Sequence, residues 1–203
     1  MDLWLEDSAA AVARLAADFV AAALRVAQPT IGLATGSTPL ATYDELIRRH
    51  EAGLRCDHAH YVLLDEYVGV GPDHPASYRR FIRERFTDAV GIPGARVHGP
   101  QGEADDLGDA AEAYERLLAR LPPREIQVLG IGRDGHIGFN EPTSSLASRT
   151  RVTTLHPETR ADNARYFAAA GDVPLHAITM GIGTILEARR LLLLATGEHK
   201  AQA

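Results

Sequence analysis

The stretch that constrains this chain most is Gly130–Pro142, G-I-G-R-D-G-H-I-G-F-N-E-P. Ile126–Leu129, I-Q-V-L, leads into it as an apolar run of strand length. The glycines at 130, 132, 135 and 138 then break any regular element, while Asp134, His136 and Glu141 place two acids and an imidazole within one short loop. A buried strand opening into such a loop is how open α/β sheets build sites, at the carboxyl ends of their strands. Glycine lets the backbone turn sharply and approach a ligand closely. Imidazole changes charge near neutral pH, and a neighbouring carboxylate orients and tunes it. An isolated D-G-H favours a polar surface turn with a surface histidine, so the weight falls on what accompanies it.

Three further strand-to-turn junctions accompany it. Ile31–Ala34 reads as a short strand followed by Thr35-Gly36-Ser37-Thr38-Pro39, with Pro39 at the first position of a helix whose inner face carries Leu40, Tyr43 and Ile47. In such a turn, free amides and the positive end of the helix dipole converge beside the Ser37 and Thr38 hydroxyls, which makes a phosphate cradle of Gly36, Ser37 and Thr38. Taken alone, the same residues read equally well as plain helix capping. Tyr61–Leu64 runs straight into Asp65-Glu66-Tyr67, two acids at a strand's carboxyl end, where partial burial would suit a carboxyl to proton transfer. Ala177–Met180 leads into Gly181-Ile182-Gly183-Thr184.

Helices are expected from Ser8 to about Ala27, after Pro75, near Asp109–Leu121 and over Pro157–Phe167, and a last strand over Arg190–Ala195. Strands alternating with helices imply an α/β fold, a mostly parallel sheet with helices on both faces. All four turns then belong on one sheet edge. A phosphate cradle, a strand-end acid and an acid–imidazole–acid loop in one crevice read as a sugar-phosphate proton-transfer site.

Composition narrows the partners. The 203 residues, 45% of them hydrophobic, suit a single globular domain over residues 1–203. A net charge of -6 argues against nucleic acid or an acidic membrane. Cys56 is the only cysteine, so there is neither a disulfide framework nor a thiolate metal cluster, and a reducing cytoplasmic setting fits. The first residues lack the basic start of a secretory leader, and no apolar run has the length of a membrane span. The chain stops soon after its last strand, near Lys200, so a further C-terminal helix is expected to be missing.

Together these stretches resemble a known family, the glucosamine-6-phosphate deaminases. The likeness rests on L-A-T-G-S-T-P-L-A-T-Y, L-D-E-Y-V-G-V, H-P-A-S-Y-R-R-F, G-I-G-R-D-G-H-I-G-F-N-E-P-T-S-S-L-A-S-R-T-R and M-G-I-G-T-I-L-E-A, in the family's order and over nearly the whole chain. The resemblance implies a Rossmann-like three-layer sandwich and conversion of glucosamine 6-phosphate and water to fructose 6-phosphate and ammonia, with no metal and no organic cofactor. It implies a catalytic set of Asp65, Asp134, His136 and Glu141. Asp65 would move a proton between two carbons, His136 would open the sugar ring, and Asp134 and Glu141 would hold and polarise the imidazole. Gly36, Ser37 and Thr38 would bind the phosphate, with Arg165 and Lys200 as cationic partners.

Allosteric members of the family use serine and basic residues just after the E-P. Ser144 and Arg151 match, but Thr153 replaces a lysine, so allosteric activation is not expected. Three readings stay open beside the deaminase: a lactonase of similar fold, a non-catalytic sugar-phosphate sensor, and a metal site on Asp134, His136 and Glu141.

Overall fold

A computed structural model describes residues 1–167 and 169–203. Its centre is a five-stranded parallel sheet of β1 (Thr30–Leu33), β2 (His60–Leu63), β4 (Val97–His98), β5 (Arg124–Gly130) and β8 (Leu191–Leu194), in the order β4-β2-β1-β5-β8. Leu33 pairs with Leu63, and Val128 and Leu129 pair with Leu192 and Leu193. Ile31, Tyr61, Val62, Ile126 and Val128 are buried, as strands covered on both faces require.

The chain steps leftward from β1 to β2 through α2 (Leu40–Glu51) and rightward from β4 to β5 through α4 (Leu107–Arg120). Right-handed crossovers running in opposite directions put their helices on opposite faces, which completes the three layers. The first helix, α1 (Ala9–Ala23), packs against α2, and Ser8 caps it by accepting from the Ala11 amide at 3.2 Å. It ends four residues before the expected Ala27 and turns Ala13, Ala16, Ala17 and Val20 inward. Because the path reverses between β1 and β5, their carboxyl ends flank the crevice at which open α/β sheets bind ligands.

A second, antiparallel sheet was not foreseen. It consists of β3 (Asp65–Tyr67), β7 (His176–Thr179) and β6 (Arg151–Thr154), in the order β3-β7-β6. Asp65–Tyr67 is therefore a strand, with Asp65 opposite Thr179, and β7 does not belong to the parallel sheet. Consequently Gly181–Thr184 is not on the crevice edge with the other turns. It opens α6 (Ile182–Leu186) against the Ser148 backbone, where a Cβ on Gly181 would fall 2.1 Å from the Ser148 carbonyl oxygen.

The helix expected from Pro75 is shorter, α3 (Tyr78–Ile82), and widens into a π-turn over Arg83–Thr87. That expected over Pro157–Phe167 is α5 (Pro157–Asn163) followed by a 3-10 turn at Ala164–Tyr166. Among the described residues no helix is long and apolar enough to cross a membrane.

Candidate active site

The crevice holds a cleft of about 700 Å³, the size of a small-molecule site, and the groups singled out from sequence converge on it. Gly36, Ser37, Thr38, Asp65, His136, Arg165 and Lys200 all line it. Asp134 and Glu141 stand behind His136 rather than in the cleft wall, and Asp134 faces an adjoining pocket.

The first wall is the turn after β1. Tyr43 of α2 reaches back to the strand end, donating its hydroxyl to the Ala34 carbonyl at 2.6 Å and accepting from the Ala34 amide at 3.1 Å. Beyond that clamp the backbone swings through Gly36 at a φ of 95°, a conformation glycine adopts freely. Pro39 is the N-cap and α2 begins at Leu40, so the turn delivers its amides to the positive end of a twelve-residue helix. An anion seated at Gly36–Thr38 would meet backbone N–H groups, two hydroxyls and that dipole.

The second wall carries Asp65. Only Leu64 separates it from β2, so the strand hands the residue directly to the cleft. It is 5% exposed, and burial, reinforced by the charge of Glu66, pushes its carboxyl up to about 8. The loop comes close: a Cβ on Gly138 would lie 3.3 Å from Asp65 Oδ2 and 3.1 Å from Thr179 Oγ1.

Glu66 points the other way. Its carboxylate accepts from the Ser77 hydroxyl at 2.7 Å and from the amides of Tyr67, Tyr78 and Arg79 at 3.0–3.1 Å. It anchors the start of α3, whose Ser77 and Tyr78 border the cleft, while burial holds its carboxyl above the ordinary range. Its position, next to an acid at a strand end, gave no sign of this.

The third wall is the Gly130–Pro142 loop. The Gly132 amide donates to the His136 carbonyl at 2.8 Å, and the His136 amide donates to Asp134 Oδ1 at 3.2 Å. The same carboxylate oxygen stands 2.6 Å from His136 Nδ1, in a close but bent approach. Ile137 and Asn140 exchange backbone hydrogen bonds, and the Asn140 side chain donates to Ile137 O at 2.9 Å and Met180 O at 2.7 Å. Arg151 supports it from β6, donating to Asn140 Oδ1 at 2.8 Å. Met180 in turn donates its amide to the Leu64 carbonyl at 2.7 Å, so one residue after β7 ties the loop to the chain just before Asp65. Asn140 and Met180 carry no ionisable group, and only the F-N-E-P and M-G-I-G strings hinted at them.

Behind the imidazole, Asp134 and Glu141 titrate as a pair. Burial raises Glu141, and its hydrogen bond with Asp134 adds to the rise. Burial works against Asp134, but the His136 amide and the Glu141 carboxyl outweigh it and hold Asp134 below its usual range. Of the two, Asp134 is therefore the easier to ionise and Glu141 the harder. The donor atoms of Asp134, His136 and Glu141 lie within 4.8 Å of one another, close enough for a divalent ion. Within that group Asp134 Oδ1 and His136 Nδ1 are 2.6 Å apart, a close contact that lacks the alignment of a hydrogen bond.

The last wall is α5 and the turn after it, with Thr159, Asp162, Asn163, Arg165 and Tyr166. The Arg165 guanidinium carbon lies 4.9 Å over the Tyr166 ring, and Lys200 Nζ donates to Ile131 O at 2.5 Å. Arg133, also on the cleft, is a cation that the sequence reading passed over.

Known proteins share this architecture. Residues 5–203 match the family model described as glucosamine-6-phosphate isomerases/6-phosphogluconolactonase. A glucosamine-6-phosphate deaminase of Arthrobacter sp. (strain FB24) is 53% identical over 194 residues, 95% of this chain and 75% of that protein. One of Corynebacterium aurimucosum is 50% identical over 204 residues, 100% of this chain and 80% of that protein. The solved structure of a monomeric glucosamine-6-phosphate deaminase superposes with a TM-score of 0.92 at 42% identity, covering 95% of this chain and 81% of that one. The 6-phosphogluconolactonase of Trypanosoma brucei superposes at 0.76 with 20% identity, covering 97% and 82%, a likeness of fold alone. With a match across almost its entire length and relatives about half identical to it, the chain belongs to the family of glucosamine-6-phosphate isomerases and 6-phosphogluconolactonases.

Proposed function

We infer that the chain is a glucosamine-6-phosphate deaminase, turning glucosamine 6-phosphate and water into fructose 6-phosphate and ammonia. The observation that carries this reading is the shared cleft. A helix-terminal turn fit for phosphate, a buried acid and an imidazole beside a carboxylate border one space. The relatives at about half identity are deaminases, whereas the lactonases are similar in fold only.

The chemistry follows from the groups. Phosphate held at Gly36, Ser37 and Thr38, with Arg165 and Lys200 nearby, fixes the far end of the sugar and orients its reacting carbons. His136, its Nδ1 side held by Asp134, moves a proton at the ring oxygen as the pyranose opens to the aldehyde. Asp65 then takes the proton from C2, beside that aldehyde, and returns it to C1. This shift, with a proton passing from the C2 amine to the C1 oxygen, leaves a hydroxyl at C1 and an imine at C2. Water adds to the imine carbon, the C–N bond breaks, and nitrogen departs as ammonia. A carboxyl raised to about 8 suits the middle step, because it is a stronger base than an exposed aspartate and regains its proton readily.

Residues 1–203 act in this reading as one catalytic domain, in a neutral, reducing cytoplasm that keeps the buried Cys56 a thiol. The test is ammonia release from glucosamine 6-phosphate, with 6-phosphogluconolactone hydrolysis measured in parallel. Release should be lost in Asp65→Asn and His136→Gln and be unchanged by a chelator. Wild-type rates in either variant, or lactone hydrolysis without ammonia release, would sink the reading.

A further inference from the structure

We propose that Arg151 is a positioning residue for Glu141: its guanidinium bridges the two flanks of the loop turn that carries this acid and holds the turn in a form its own sequence disfavours. The proposal deepens the deaminase reading and rests on it for its kinetic consequences.

The turn is Glu141-Pro142-Thr143-Ser144. The Ser144 amide donates to the Glu141 carbonyl at 3.0 Å, and Thr143 has a φ of 79°. Proline in the second place and a positive φ in the third mark a type II turn, whose third place suits glycine or asparagine. Thr143 is β-branched, and among the described residues it is the one non-glycine residue with a positive φ. A branched Cβ crowds the backbone there, so the local sequence favours a type I turn, in which the same residue sits at a negative φ.

The small sheet supplies what the turn lacks. Asp65 of β3 stands opposite Thr179 of β7, and Thr179 stands opposite Arg151 of β6. Side chains directly opposite one another share a face, so the three form one row across the sheet. The loop lies along this row in order. Gly138 passes close to Asp65 and Thr179, the Phe139 amide donates to Thr179 Oγ1 at 3.2 Å, and Asn140 Oδ1 accepts from Arg151 Nη1 at 2.8 Å. Arg151 then reaches past the turn, donating from Nη2 to Ser144 Oγ at 3.4 Å. Asn140 precedes Glu141 and Ser144 closes its turn, so one planar guanidinium grips both flanks of the acid. The carboxylate of Glu141 lies within 4.8 Å of the donor atoms of Asp134 and His136, so slack in the turn is felt beside the imidazole.

Arg151→Met removes the donors and keeps a long side chain. We expect it to lower kcat for ammonia release about tenfold with KM within about threefold, the loss typical of one hydrogen bond to a charged group. Thr143→Gly makes the type II turn the favoured one, because glycine takes a positive φ freely. Alone it should leave kcat within about twofold of wild type, and added to Arg151→Met it should bring kcat back to within about threefold. Amide exchange followed by NMR reads the turn directly. The Ser144 amide should exchange about tenfold faster in Arg151→Met and return to the wild-type rate when Thr143→Gly is added. A loss of kcat that Thr143→Gly does not relieve, or an unchanged Ser144 amide in a folded Arg151→Met protein, overturns the proposal. Because the exchange needs no turnover, a wild-type chain that released no ammonia would refute the deaminase reading while leaving Arg151 still decided by the Ser144 amide.

Discussion

Replacing Gly132 with alanine should disable the imidazole without touching the phosphate seat. A Cβ at this position would stand 2.3 Å from Cε1 and Nδ1 of His136 and 2.6 Å from Cγ. Non-bonded carbon atoms settle at about 3.5–4.0 Å, so the ring would have to retreat by roughly 1.2 Å or more. The backbone cannot follow easily, because the His136 carbonyl is held by the Gly132 amide at 2.8 Å and its amide by Asp134 at 3.2 Å. Rotation of the side chain is left, and it draws Nδ1 off the Asp134 oxygen now 2.6 Å away. Misplacing a catalytic group by about 1 Å costs on the order of 100-fold in rate. We therefore expect kcat for ammonia release to fall about 100-fold in Gly132→Ala, with KM within about threefold. Gly132 has an ordinary backbone conformation, so the fold should survive with at most about 2 kcal/mol lost, read as a modest fall in Tm. A variant with kcat within threefold of wild type would refute both the ring's placement and its part in the reaction.

Asp65 links stability to pH. The folded chain keeps this proton up to about pH 8, whereas an unfolded aspartate releases it near 3.8. Between those values folding takes up a proton, so stability declines as pH rises and this contribution is fully lost above 8. Each pKa step is about 1.4 kcal/mol, so realising even half the elevation would make Asp65→Asn about 3 kcal/mol more stable than wild type at pH 9. Denaturant titrations of both proteins at pH 5 and 9 would show the gap opening with pH, and a constant difference would contradict the burial argument. Glu66→Gln should act on structure rather than chemistry, because a neutral amide replaces an acceptor serving four donors. We expect a loss of about 2–3 kcal/mol by thermal unfolding, and a Tm within one degree of wild type would show that the cap is dispensable.

The parallel core and the polar groups of the site were legible in the sequence because both leave local marks. Ile31–Ala34 and Ile126–Leu129 are short apolar runs broken by glycine, and each delivers a turn to the crevice. The small sheet left no such mark. Asp65–Tyr67 is an acid, an acid and an aromatic, and it becomes a strand only because His176–Thr179 arrives beside it from a hundred residues away. Non-local pairing has no local period, and tertiary contact overrides the weak β-propensity of acids. The same blindness covers Glu66, three of whose four donors lie eleven to thirteen residues downstream. The glycines at 181 and 183 were read as a ligand turn, but they serve close packing against Ser148, a use that looks identical in one dimension.

Met180 gives the site a gauge. Its N–H grips the carbonyl that precedes Asp65, and its carbonyl grips the amide side chain that precedes Glu141. The span between the base and the ring-opening machinery is thus measured out in main-chain atoms. Mutational drift at position 180 can alter how the interior is filled without changing that span, so long as the newcomer has an N–H to give. Proline alone lacks one, and it is the substitution that descendants of this sequence could not accept there.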